Sequence, residues 1–169
     1  MNFLTMKDLL HKNTERINQL VRDVNLNQAR WKPDPSSWSI LEVINHLYDE
    51  EREDFRAHLD LILHYPQDPW TSINPGAWVS ERGYNERDLE SSLANFLNER
   101  RASLTWLEQM ENPDWDTQYT IPIGSMRAGD MFSAWIAHDL LHIRQLVELH
   151  YAYLVELAQP YKVDYAGDW

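Results

Sequence analysis

Four stretches of this chain repeat apolar residues at spacings of three, four and seven. Its glycines and prolines fall mostly between those stretches, and that pattern points to a bundle of helices. The first stretch covers about residues 3 to 25, with Leu9, Leu10, Ile17, Leu20, Val21 and Val24 on one stripe. The second opens sharply. Ser39 with Glu42 fits a capping box, Trp38 can pack on Val43 as a hydrophobic staple, and the helix runs to about Leu63. The third begins after Asn85, read as its N-cap, and carries Leu89, Leu93, Phe96, Leu97, Leu104, Leu107 and Met110 under a charged outer face. The fourth runs from about Arg127 to Leu157. Met131, Trp135, Leu146 and Leu149 lie on one side of it and Ile136, Leu140 and Val147 on the other, so it reads as a helix contacted on both sides. The expected fold is all-α, a four-helix bundle of the up-and-down type.

Two connections stand out. Residues 65 to 84, YPQDPWTSINPGAWVSERGY, form a long link between the second and third helices, read as a functional lid with Trp70 and Trp78 as candidate pocket walls; a disordered or merely packed loop is the other reading. The segment NPDWDTQYTIPIGSM is expected to hold a short extended turn. With 169 residues and 43% hydrophobic content, the chain suits one core and a single domain spanning 1–169. No apolar run approaches the roughly 18 residues of a membrane span, and no basic start leads into an apolar leader, so the expectation is a cytoplasmic protein with no membrane partner.

The absence of cysteine removes disulfides and thiolate ligands, so any metal must be held by imidazole or oxygen. A formal charge of −12 opposes a phosphate backbone, which makes nucleic acid an unfavoured partner. Nothing resembles a G-x-S-x-G nucleophile turn or a glycine-rich phosphate loop, and no Glu-x-x-His motif of a di-iron bundle occurs.

Attention therefore falls on His138 and His142. Four residues apart on a helix, they stand on one side with Cβ atoms about 5–6 Å apart, close enough to share an ion at roughly 2.0–2.1 Å. They share the face of Met131, Trp135, Leu146 and Leu149, so the pair looks inward. Left unbonded in an apolar core, such rings would cost about 1–3 kcal/mol per unsatisfied group. A metal is one remedy; hydrogen bonds to carboxylates such as Asp139 or Glu51 are the other. If short connections make the second and fourth helices parallel, His46 lies at a tolerable height for a third ligand, His58 and His64 lie too deep, and His11 is the substitute. Against His46, it is rotated away from Ile40, Ile44, Phe55 and Ile62, as an exposed polar residue would be, whereas Glu51 and His58 project from the apolar side.

The stretches N-H-L-Y-D-E-E-R (45–52), R-G-Y-N-E-R-D-L (82–89) and W-I-A-H-D-L-L-H-I-R-Q-L (135–146) together resemble the DinB-like metalloenzyme superfamily. The likeness runs over essentially the whole chain, including the terminal D-Y-A-G-D-W, and A-H-D-x-x-H-x-x-Q is its most specific element. It implies a handedness variant of the up-and-down bundle and a divalent metal on His46, His138 and His142. It also implies a homodimer and, as in some relatives, a low-molecular-weight thiol as cosubstrate.

Three neutral imidazoles would leave such an ion its double charge and an open position for water, thiol or substrate. Imidazole suits zinc, nickel, iron and manganese alike. Asp49, Glu50 and Glu51 follow His46 within about one turn, and one of them, with Glu51 and Glu50 the candidates chosen, is a base or orienting group; a solvated acidic face is their plain alternative. Gln145 and Trp135 are candidate pocket residues, and an interhelical hydrogen bond is the other reading of Gln145. The expected function is a metal-dependent transferase or hydrolase acting on a small-molecule electrophile. The competing expectation is a non-enzymatic, metal-stabilised bundle or dimerisation module in a stress response.

Overall fold

The computed structural model describes residues 2–121 and 124–167; Asp168 and Trp169 of the terminal motif lie outside the described residues. Helix α1 (Phe3–Val21) is followed by a short α2 (Leu26–Arg30), then by α3 (Ile40–Glu50), a π-helical turn (Glu51–Phe55) and α4 (Arg56–His64), which form one continuous rod. After α5 (Pro75–Glu81) and a 3-10 turn (Tyr84–Glu86) come α6 (Leu89–Glu108), strands β1 (Gln118–Ile121) and β2 (Gly124–Arg127), and α7 (Ala128–Leu157). The two strands pair antiparallel, Gln118 opposite Arg127, and supply the extended turn expected before the last helix. Among the described residues no helix is long and apolar enough to cross a membrane.

Local chemistry sets these boundaries. The Ser39 hydroxyl accepts from the Glu42 amide at 3.1 Å while the Glu42 carboxylate accepts from the Ser39 amide at 2.8 Å, so the expected capping box starts α3. The third long helix starts later than Asn85. Asp88 is its cap, accepting from the Ser91 amide at 2.8 Å, while Asn85 sits in the preceding 3-10 turn and accepts from the Ser39 hydroxyl at 2.7 Å. The long connection also contains a helix: Pro75 occupies the first turn of α5, where its missing N–H has no partner to lose, and Asn74 caps it. Gly83 then takes a left-handed φ of 57°, which turns the chain so that Tyr84 points inward.

Side-chain contacts fix the topology. Lys7 reaches Glu108 and the Leu10 carbonyl reaches Arg100, so α1 and α6 run antiparallel. Asn45 bonds Ser92 and Arg56 bonds Ser103, so the α3–α4 rod and α6 run parallel. Trp38 stacks on His142 whereas Phe55 stacks on Trp135, so that rod and α7 are antiparallel rather than parallel as short sequential connections would make them. Helix α1 packs on α6 and α7, as does the rod, which leaves α1 diagonal to the rod and α6 diagonal to α7. The result is a four-helix bundle in which both diagonals join consecutive long helices.

Two apolar clusters fill it. One gathers Phe55, Leu59, Ile62, Leu107, Phe132 and Trp135; the other gathers Ile17, Ile40, Ile44, Phe96, Leu146 and Leu149. Helix α3 is buried at every position from Ile40 to Leu47, because α2, α5, α6 and α7 all pack on it. His46 is indeed rotated off the apolar stripe, but the far side of this helix is another interface rather than solvent, and His46 is buried.

Candidate metal centre

Between the two apolar clusters lies a polar layer. Its front is built from His46 and Glu50 on α3 and from His138 and His142 on α7. The Nε2 atoms converge: His138 is 3.3 Å from His46 and 3.0 Å from His142. Ligand atoms of the three rings all lie within 4.8 Å of one another. The Glu50 carboxylate stands 3.0 Å from His138 Nε2 and 3.6 Å from His46 Nε2. The Nδ1 of His142 faces the Gln145 amide oxygen at 2.8 Å, which holds the ring proton on Nδ1 and turns the Nε2 lone pair toward the other rings. His46 Nδ1 is buried without a hydrogen-bond partner among the described residues.

Burial and neighbouring rings disfavour the charged forms of His46 and His142. Burial, then the neighbouring His142 and His138 rings, push His46 down from its ordinary 6.5 to about 2. Burial, then His138, lower His142 to about 4, against opposing pulls from Gln145 and Asp139. Three converging imidazole nitrogens suit a divalent cation, with the Glu50 carboxylate at hand as a fourth ligand or as a base. His142 also lines a cleft of about 510 Å³ with Trp38, Gln145, Glu148 and Leu149, within the size range of small-molecule sites. Trp38 lies nearly parallel to the His142 ring, at 6.2 Å between centroids, and edge-on to His46 at 4.7 Å.

The remaining residues singled out from sequence fall elsewhere. Glu51 and Trp135, expected as a base and a pocket wall, are both fully buried behind the cluster. One Glu51 oxygen accepts from Arg100 Nε at 2.7 Å and the other from Trp135 Nε1 at 3.0 Å, so neither group faces the cleft. Asp139 likewise points backward, bonded through both oxygens to Arg100 at 2.8 Å. Asp49 is not on a solvated face. It is buried against Tyr84, Arg52 and Arg82, which together outweigh the burial that would raise it and hold it below the usual carboxylate range. His11 is exposed on α1. His58 is buried between Asp54 and the Thr71 carbonyl and stacks on Trp70 at 3.9 Å, while His64 pairs with Asp60. Trp70 therefore secures the long connection to α4, and Trp78 carries Arg82 over its ring at 4.0 Å; neither lines the histidine cleft.

Sequence reasoning missed two residues. Trp38 was assigned only to the staple; it lies just before the Ser39 cap, outside the helix, so no helical spacing ties it to His46, and only the fold brings its ring against His46 and His142. Arg100 was not singled out at all, yet it lies four residues after Phe96 and seven before Leu107, on the core stripe, and is 1% exposed.

The model of the DinB superfamily matches residues 9–146, a span that holds every residue of this front. The chain belongs to the DinB superfamily. As a DinB protein it shares its fold with YfiT from Bacillus subtilis, whose structure is described as "a probable metal-dependent hydrolase with an unusual four-helix bundle topology". The two superpose with a TM-score of 0.76 at 16% identity, over 87% of this chain and 85% of that one. No curated protein matches this DinB chain at a significant level.

Proposed function

We propose that this DinB protein is a metal-dependent hydrolase of a small electrophile, with a divalent ion held by the Nε2 atoms of His46, His138 and His142. The convergence of those three nitrogens beside Glu50 and an open cleft carries the reading. The description of YfiT supports it by analogy of fold. A divalent ion, when bound there, would be a Lewis acid toward the electrophile and would bring the pKa of a bound water to about 7. Within the chain, Gln145 fixes the His142 tautomer, Glu50 accepts the proton that the attacking nucleophile gives up, and Trp38 with Leu149 forms the wall against which the substrate lies.

A low-molecular-weight thiol entering the same cleft would meet the same groups, so S-transfer is the second reaction to assay. A different observation favours the structural reading: with Glu50 this close to His138, its carboxylate can complete a four-ligand sphere and leave no open position. Elemental analysis of purified protein, followed by turnover screening with water and with thiols, separates these readings. One equivalent of metal, abolished in His138→Ala, and turnover abolished by chelation are expected. Metal without turnover of any electrophile would favour the structural role, and a protein that takes up no ion would overturn both.

A further inference from the structure

Behind the histidines, Arg100 of α6 reaches across the bundle diagonal. Its Nε donates to Glu51 at 2.7 Å, its two terminal nitrogens donate to the two oxygens of Asp139 at 2.8 Å, and Nη1 also meets the Leu10 carbonyl at 3.3 Å. One side chain thus touches all the other long elements of the bundle. Arg100, Glu51 and Asp139 are each no more than 1% exposed. Their anchor points matter more than their number: Glu51 directly follows Glu50, and Asp139 directly follows His138.

A buried ion cluster is a poor way to gain stability, because desolvation commonly equals or exceeds the attraction and a well-packed apolar trio of similar volume serves a fold as well. Two things an apolar trio cannot supply are present here. The bidentate contact with Asp139 fixes distance and angle between α6 and α7 more tightly than van der Waals packing does. The charges also do not balance: Glu51 and Asp139 share one buried guanidinium while the buried Glu50 faces the histidines, a formal excess of two negative charges within the polar layer. A divalent cation on three neutral imidazoles would offset that excess.

We propose that Arg100, Glu51 and Asp139 form a buried clamp that positions the histidine-bearing segments and provides the negative field that sets the affinity of the histidine site for a divalent cation. These are positioning residues, since none of them reaches the cleft. The inference rests on the metal-site reading above and extends it to residues that bind nothing themselves.

The test uses full-length protein stripped of metal and titrated with zinc and, separately, with cobalt(II), whose visible absorption reports ligand geometry. Asp139→Asn keeps the side-chain size, removes one charge and replaces one of the two acceptors of the Arg100 fork by a donor; Arg100→Met/Glu51→Gln/Asp139→Leu replaces the clamp with a neutral trio; Glu90→Gln, on the exposed surface of α6, is the charge-matched control. Asp139→Asn should weaken zinc binding about 10- to 100-fold, the range typical of groups that orient metal ligands, with helix content unchanged. The triple variant should weaken it at least as much and shift the cobalt spectrum, while Glu90→Gln binds as the parent does. Parental affinity and an unaltered cobalt spectrum in Asp139→Asn would overturn the clamp even if the triple variant does not fold. Failure of the parent protein to bind zinc or cobalt would instead remove the metal-site reading, and the clamp with it.

Discussion

Glu50 and Glu51 are adjacent in sequence and chemically alike, yet one faces the histidines and the other is locked to Arg100 and Trp135. The 100° between neighbouring helical positions separates them. Glu50→Gln should therefore retain metal and lose roughly 10²- to 10⁴-fold in turnover, as expected when a proton acceptor is removed, a result read by comparing metal content with kcat. Glu51→Gln should act from behind the site instead, lowering Tm because Arg100 loses a buried charged partner and weakening metal binding through the clamp. The front histidines also set a pH dependence. In the unfolded chain His46 and His142 take up protons below about 6.5, whereas in the folded protein they do so only near 2 and 4. The unfolded state therefore binds more protons as pH falls through that window, and stability of the metal-free protein, level above about pH 6.5, should decline between there and pH 4. Thermal unfolding from pH 8 to pH 4 checks this, and the decline should be shallower in His142→Gln. An equal slope in the variant would show that His142 does not contribute.

Among the elements, α7 was the most legible from sequence and α3 the least. The pair His138 and His142 was visible because helical spacing alone brings them together, and neighbouring apolar residues show which way they face. His46 was a different case. Periodicity assigns a helix one buried face, and α3 has no exposed one, so its ligand looked like a surface residue and only the family pattern singled it out. The start of α6 was misplaced for a related reason: Asn85 is a good cap by type, but its side chain is engaged by Ser39 and Arg30. Such long-range partners are invisible to a local rule. The cap of α3 offers a test at this scale. Ser39→Ala removes a hydroxyl that accepts from the Glu42 amide and donates to Asn85, and should cost about 1–2 kcal/mol, measured by denaturant unfolding. A cost near zero would mean that the capping box is dispensable.

Across the whole molecule, the polar layer joins distant parts of the chain. It draws Glu50 and His46 from α3, Arg100 from α6 and His138 with His142 from α7, so it cannot form until α7 has docked. We read residues 1–169 as one cooperative unit on that basis, and expect helix content and tryptophan fluorescence to be lost in a single transition. Two separated transitions would refute this. Saturating zinc should raise Tm, because a ligand bound only to the folded state stabilises it in proportion to the logarithm of its concentration over Kd. The homodimer implied by the family pattern belongs to the same scale. Sedimentation velocity should show a species of twice the chain mass, and a monomer at all concentrations would remove it.

The enclosure of α3 by four neighbours has an evolutionary consequence. A helix with one wet side lets roughly half its positions drift, and the tolerated changes recur with each turn. Between residues 40 and 47 every side chain is buried against one neighbour or another, so a substitution survey should find intolerance with no rhythm at all, a signature more familiar from the inside of a sheet.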